Sequence, residues 1–208
     1  MEQAGFTILY SQKRSFIIVA KHPRVHGYLF KIYLNSRNVH KDSMVGWELL
    51  TTRCVVARKI KSIIRKHKIQ HFTVANKWLY PVPPPIDGHT RTEPVILLVR
   101  NMQILCRETS KIIWRTKVTG EHLNELYAIL GRGYGSPFLH KNVPFTRAGK
   151  FAFIDTERTH RKVRLPPVKR FLSQEMGEYW DCIVQKPPRR TPSMPQSQGE
   201  SSTTQIAP

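Results

Sequence analysis

The chain has 208 residues, enough for one domain with a substantial core, and its 34 Lys and Arg against 14 Asp and Glu give a net charge of +20. Charge of this size points to an anionic partner, whether a nucleotide, a nucleic acid or an acidic protein, and does not choose among them. Three well-separated cysteines, Cys54, Cys106 and Cys182, suggest neither a disulfide framework nor a zinc site and fit a reducing, cytoplasmic setting; no apolar run approaches the roughly 18 residues of a membrane span.

In chain order, Thr7–Tyr10, Phe16–Ala20 and Tyr28–Leu34 read as three short strands divided by polar residues, His22-Pro23 and Gly27, an antiparallel meander. His22 and His26 fall in a turn and read as surface residues. Asp42-Ser43 offers an N-cap for a long helix to about Lys68, with Leu49, Val56, Ile60 and Ile63 on the face that packs on the sheet. The Pro-rich run Tyr80–Pro85 reads as an extended connector closed by the Asp87-Gly88 turn. Pro94–Val99 and Ile112–Trp114 are expected as strands, and Thr119 as the cap of a helix, Glu121–Leu130, that stops at Gly131. Asn142–Asp155 reads as two short β-runs joined by a turn at Gly149. After Gln185 the composition turns to Pro, Ser, Thr and Gln, which cannot offset chain entropy by burial, so 186–208 is expected to be a disordered tail behind a single domain, 1–185. The expected class is α+β: a small antiparallel sheet with a long helix, then a mostly helical part with a β-hairpin.

Asp155, one of four aspartates, ends the apolar run Phe151-Ala-Phe-Ile154, where a carboxylate needs a cation, a metal or backbone donors. Asn142 opens the same hairpin, so a carboxylate and a neutral oxygen can meet at its mouth, a pair suited to Mg²⁺ bridging phosphates. Equally, Asp155 can cap the next turn or pair with an arginine between Arg158 and Arg170.

The 13 residues from Asn142 to Asp155 resemble the protein-kinase pattern, in which a catalytic-loop Asn is followed after a short hairpin by a metal-binding Asp. The order of elements is also similar, with 1–100 in the place of a small lobe and 101–185 in that of a truncated large lobe. Gly27-Tyr-Leu-Phe-Lys31-Ile looks like the strand whose lysine pairs the α- and β-phosphates, and Glu48 stands near the start of the long helix where the family's lysine-holding acid lies. The resemblance implies ATP and Mg²⁺ as cofactors. Lys31 can equally be the solvent-facing residue of an alternating strand, and Glu48 lies about a quarter-turn from the apolar stripe. The segments Lys77–Pro81 and Gly149–Glu157 are also similar to small kinase-like proteins of obligate intracellular bacteria related to chlamydiae, a relationship compatible with export into a host cell.

Several residues depart from the kinase pattern. Five residues before Asn142, where the family carries its catalytic Asp, stands Pro137; Asp155 is followed by Thr156-Glu157; and the first turn, Ser11–Arg14, has no glycine. His140 can serve as a substitute base because imidazole titrates near neutrality, or be a hydrogen-bonded structural residue. The implied activity is a kinase-like or pseudokinase site with weak or absent phosphotransfer.

A competing reading rests on charge. Between Glu48 and Asp87 there is no acid, while Arg58, Lys61, Arg65 and Lys68 fall on one face at helical spacing; Arg158, Arg161, Lys162 and Arg164 make a second cluster. Such faces fit a basic module that binds nucleic acid or an acidic protein without catalysis, or they serve solubility. No zinc-finger spacing and no RNA-recognition motif with paired aromatics supports sequence-specific readout.

Overall fold

A computed structural model of the chain describes residues 5–12, 17–33, 46–82, 95–156 and 163–186. The expected meander forms from β1 (Thr7–Gln12), β2 (Ile17–Lys21) and β3 (Tyr28–Tyr33), paired antiparallel. Helix α1 (Gly46–Lys66) follows, then β4 (Phe72–Val74), β5 (Lys77–Pro81) and β6 (Val95–Arg100). The last two complete a five-stranded antiparallel sheet of order β1-β2-β3-β6-β5. The first two residues of the Pro-rich run therefore belong to a strand. Pro81 ends β5 at the sheet edge, where a missing N–H costs no ladder bond.

Helix α1 divides two hydrophobic clusters. Leu50 and Cys54 pack on the sheet with Leu97 and Val99, whereas Val56, Ala57, Ile60 and Ile63 face the second cluster. Of the expected stripe, Val56, Ile60 and Ile63 are buried and Leu49 lies half-buried at the sheet side. The helix ends earlier than its charge pattern implies. Lys68 turns left-handed at φ 51°, and Ile69 N–H donates to Ile64 O at 3.0 Å, so Lys68 closes the helix instead of extending its basic face. The Asp42-Ser43 cap, the Asp87-Gly88 turn and residues 187–208 lie outside the described residues.

The second half is mostly helical: α2 (Arg107–Thr116), α3 (Gly120–Leu130), a single turn α4 (Leu139–Asn142), a 3₁₀ segment (Pro166–Phe171) and α5 (Gln174–Gln185). The expectation of a strand at Ile112–Trp114 is corrected, because these residues belong to α2. A strand would put both side chains on one face. Trp114 is fully buried and Ile112 is 60% exposed, whereas Ser110, one helical turn before Trp114, is buried with it. Thr119, in extended conformation, caps α3 as expected.

The hairpin expected over Asn142–Asp155 is also only partly formed. The turn at Gly149 forms and the arms are joined by the Phe145–Phe151 bridge and by hydrogen bonds from Thr146, Ala152 and Ile154 N–H to Lys150, Pro144 and Asn142 O, but only the second arm is a strand, β7 (Phe151–Phe153), and it pairs in parallel with β4. Asn142 closes α4 because Leu139 and Val143, four residues apart, are both fully buried and hold that turn helical. Phe151 lies tilted against Trp114 at 4.0 Å and stacks on Phe72 at 5.5 Å, within the second cluster.

Candidate charge-cluster site

Where α1 meets the sheet, four charged side chains from distant parts of the chain converge. Lys31 and Lys77 share the inner, α1-facing side of the sheet: through the strand register, Lys31 lies opposite Leu97, and Lys77 opposite Val99, both buried. Arg53 comes from the buried side of α1, with 3% of its surface exposed, and Asp155 from just beyond β7.

The Arg53 guanidinium stands 3.9 Å from Asp155 Oδ1. The Lys77 ammonium donates to Ile154 O at 3.1 Å and to Thr156 Oγ1 at 2.6 Å, and the Thr156 hydroxyl donates onward to Arg53 O at 2.8 Å. Thr156 thereby links β5, α1 and the segment that carries Asp155.

Electrostatics follow from this crowding. Burial and the adjacent Arg53 push the Lys31 ammonium down to about 8, against the pull of Asp155. Lys77 is pushed well below the ordinary lysine range by burial, by Lys31 and by Arg53, with Asp155 again opposing. Three cationic side chains thus surround one carboxylate, and the site accommodates further negative charge more readily than further positive charge. Asp155 Oδ1 is buried and accepts no hydrogen bond, its nearest cation being the Arg53 guanidinium at 3.9 Å.

The sequence-derived candidates distribute unevenly around this cluster. Lys31 and Asp155 are brought into one electrostatic neighbourhood. Glu48 is half-buried in the first turn of α1, and the charges acting on Lys31 are those of Arg53 and Asp155. Asn142 adjoins Asp155 through the backbone, its carbonyl accepting from Ile154 N–H at 3.0 Å, while its side-chain amide donates to Ser136 Oγ at 2.8 Å. His140 contacts Arg107 at 3.0 Å and the Phe171 ring at 4.8 Å, and burial together with Arg107 lowers its pKa. The partner found for Asp155 is Arg53 of α1; Arg158, Arg161 and Lys162 lie outside the described residues.

Arg58, Lys61 and Arg65 project from the exposed side of α1, where Lys61 donates to Asn76 Oδ1 at 2.9 Å. Lys61 and Arg65 line a cleft of ≈ 510 Å³ with Arg100, and Arg58 and Lys61 an adjoining one of ≈ 370 Å³ with Lys77 and Trp78. Arg164 lies away from these, beside Arg132 and Tyr127 in a cavity of ≈ 1160 Å³. A separate group, His71, Glu121 and Glu125, places its ligand atoms within 4.8 Å. Glu125 already accepts from Gln70 N–H at 2.8 Å and His71 N–H at 3.0 Å, which makes it a clamp on the turn between α1 and β4.

Arg53, Lys77 and Thr156 were not legible as site residues, although two carried a signal. Arg53 falls one turn after Leu49 and Leu50 and one before Val56 and Ala57 on the apolar side of α1. Lys77 occupies the inward position of an alternating strand, Lys-Trp-Leu-Tyr, whose pattern runs buried, exposed, half-buried, exposed. A cation inside an apolar stripe needs a partner. Among the described residues no helix is long and apolar enough to cross a membrane. No protein-family model matches the chain, and no curated protein matches it.

Proposed function

We propose that the chain is a kinase-like protein whose Lys31–Asp155 cluster binds a phosphate-bearing nucleotide, with phosphotransfer weak or absent. The observation that carries this reading is that Lys31 and Asp155, 124 residues apart in sequence, are gathered with Arg53 into one cluster, in which the Asp155 charge acts on Lys31 and Arg53 stands 3.9 Å from Asp155. A lysine made easier to deprotonate by burial and by the neighbouring Arg53 gains from an anionic ligand, which offsets that repulsion.

If a divalent ion is bound, Asp155 Oδ1, which accepts no hydrogen bond but faces Arg53 at 3.9 Å, is the oxygen that would hold it, with the side-chain oxygen of Asn142 as the second donor; the ion would shield the phosphate charge. Arg53 and Lys77 supply part of that shielding themselves, so dependence on Mg²⁺ should be shallow. Weak transfer follows from the residues that stand where a base would act. Pro137 has no ionisable group, Ser136 is committed to Asn142 and Phe138 N–H, and His140 is engaged by Arg107.

The test is thermal unfolding with ATP, with and without Mg²⁺, on the full chain and on Lys31→Met and Asp155→Asn. A ligand at 100 times its Kd adds about 2.7 kcal/mol of stability, which a melting curve resolves. The reading expects a shift with ATP that Lys31→Met abolishes. No shift at millimolar ATP, or an unchanged shift in both variants, removes it.

A further inference from the structure

We propose that the outer face of the sheet, together with the basic clefts at its β5 edge, is a binding surface for single-stranded nucleic acid. The aromatic rings lie on the face opposite the nucleotide cluster, and the two regions meet at the β5 edge, where Lys77 lines the ≈ 370 Å³ cleft. Alternation along β5 sends Lys77 and Leu79 inward and leaves Trp78 44% exposed and Tyr80 59% exposed on the outside. Tyr28 of β3 meets the Trp78 ring edge-on at 5.7 Å. Of the described helices, α1 makes the substantial contacts with this sheet, and it does so from the inner side, through Leu50 and Cys54 against Leu97 and Val99.

Cations lie where a strand running past these rings would place its phosphates. Arg100 is the cross-strand partner of Tyr28 and also lines the cleft containing Lys61 and Arg65; Trp78 borders the adjoining cleft with Arg58 and Lys61. The two clefts share Lys61, Val74 and Asn76, so they form one continuous basic track along α1. Among the described residues from 49 to 107 there is no acid to neutralise it.

Phosphates alone account for the cations; they do not account for two large aromatic rings left in water beside them. Exposed aromatics next to a basic groove suit unpaired bases, which stack on them while the groove tracks the backbone. Duplex DNA or RNA buries its base faces and could use only the charges. An acidic protein would likewise pair with the arginines and lysines and gain little from the rings.

The experiment is fluorescence anisotropy of the full chain with labelled oligo(dT) and oligo(U) of about twelve nucleotides, a duplex of equal length, and heparin as a charge-only competitor. Binding should favour the single strands and weaken steeply between about 50 and 200 mM salt. Trp78→Ala should weaken oligonucleotide binding about tenfold and leave heparin binding unchanged. Tyr80→Ala, at the more exposed ring, gives a second reading should the tryptophan variant fold poorly, and Trp78→Phe should restore most of the affinity. A combined Lys61→Ala, Arg65→Ala, Arg100→Ala variant should flatten the salt dependence by about two units of slope. Equal binding of duplex and single strands, or aromatic variants that bind like the parent, would overturn the proposal and leave a surface that reads charge alone.

Discussion

The ammonium of Lys77 and the hydroxyl of Thr156, 79 residues apart, meet at 2.6 Å in the interior, and Thr156 passes the bond on to the backbone of α1 at Arg53. A lysine at this depth is tolerated because two oxygens receive its protons. Thr156→Val keeps the shape and removes the hydroxyl, so it should cost about 1–3 kcal/mol. Lys77→Met should offset most of that loss when added to Thr156→Val, because the stranded donor is then gone. Urea denaturation of the two single variants and the double variant measures this coupling, and additive losses would show that the bond carries no net stability.

Alkaline pH should stabilise the fold through Lys31. Its folded-state value of about 8 lies below the 10.5 of an unperturbed lysine. Between those two values the unfolded chain binds more protons than the folded one, so stability rises with pH across that window and is level, for this residue, below it. Lys31→Met should remove that rise, a difference of at most about 1.4 kcal/mol per pH unit. Chemical denaturation of the parent and the variant at pH 7, 8, 9 and 10 reads it directly; parallel curves would contradict the assignment.

The same titration should govern anion binding at the cluster. As pH rises through about 8, Lys31 loses its charge and nucleotide affinity should fall. Nucleotide binding measured from pH 7 to pH 9 on the parent and on Lys31→Met checks this, and an affinity that stays level in the parent would contradict it.

Gly135 should resist substitution more than Gly149. Both have positive φ, +86° and +76°, but a Cβ on Gly135 would come within 2.7 Å of the Phe153 ring, whereas one on Gly149 meets open space. Gly149→Ala should cost about 1 kcal/mol for its backbone alone, and Gly135→Ala about 2–4 kcal/mol, since the ring on β7 must also move. Equal melting temperatures for the two variants would place Phe153 in a softer environment than its full burial implies.

Glu125 should behave as a structural clamp. Its two oxygens accept from consecutive backbone amides at Gln70 and His71. Glu125→Ala should cost about 2 kcal/mol, in the range of hydrogen bonds to a charged group, with no change in either ligand's affinity. Loss of ligand binding without loss of stability would assign Glu125 a different role.

Much of the architecture was legible because its signals are local. The meander, α1, β6 and α3 each carry their own alternation, stripe or cap, and the structure places them within a few residues of the expected bounds. Ile112–Trp114 misled because a three-residue apolar run carries no period; only the burial of Ser110 with Trp114 reveals the helix. Strand β4 escaped notice because its partner, β7, lies far along the chain and pairs in parallel. The site was half-visible for the same reason. Lys31 and Asp155 stood out by pattern, but the roles of Arg53, Lys77 and Thr156 depend on what approaches them from elsewhere.

The parallel pairing of Phe72–Val74 with Phe151–Phe153 also dictates an order of events during synthesis. A nascent chain that has emerged through β6 contains every strand of the five-stranded sheet and α1, and with them Lys31, Arg53 and Lys77, but no Asp155, Ile154 carbonyl or Thr156 hydroxyl. Until Thr156 has emerged, Lys77 lacks both oxygens that accept from it in the full fold, and Arg53 lacks Asp155. Chains cut short before Thr156 should therefore be the ones that cells recognise and degrade.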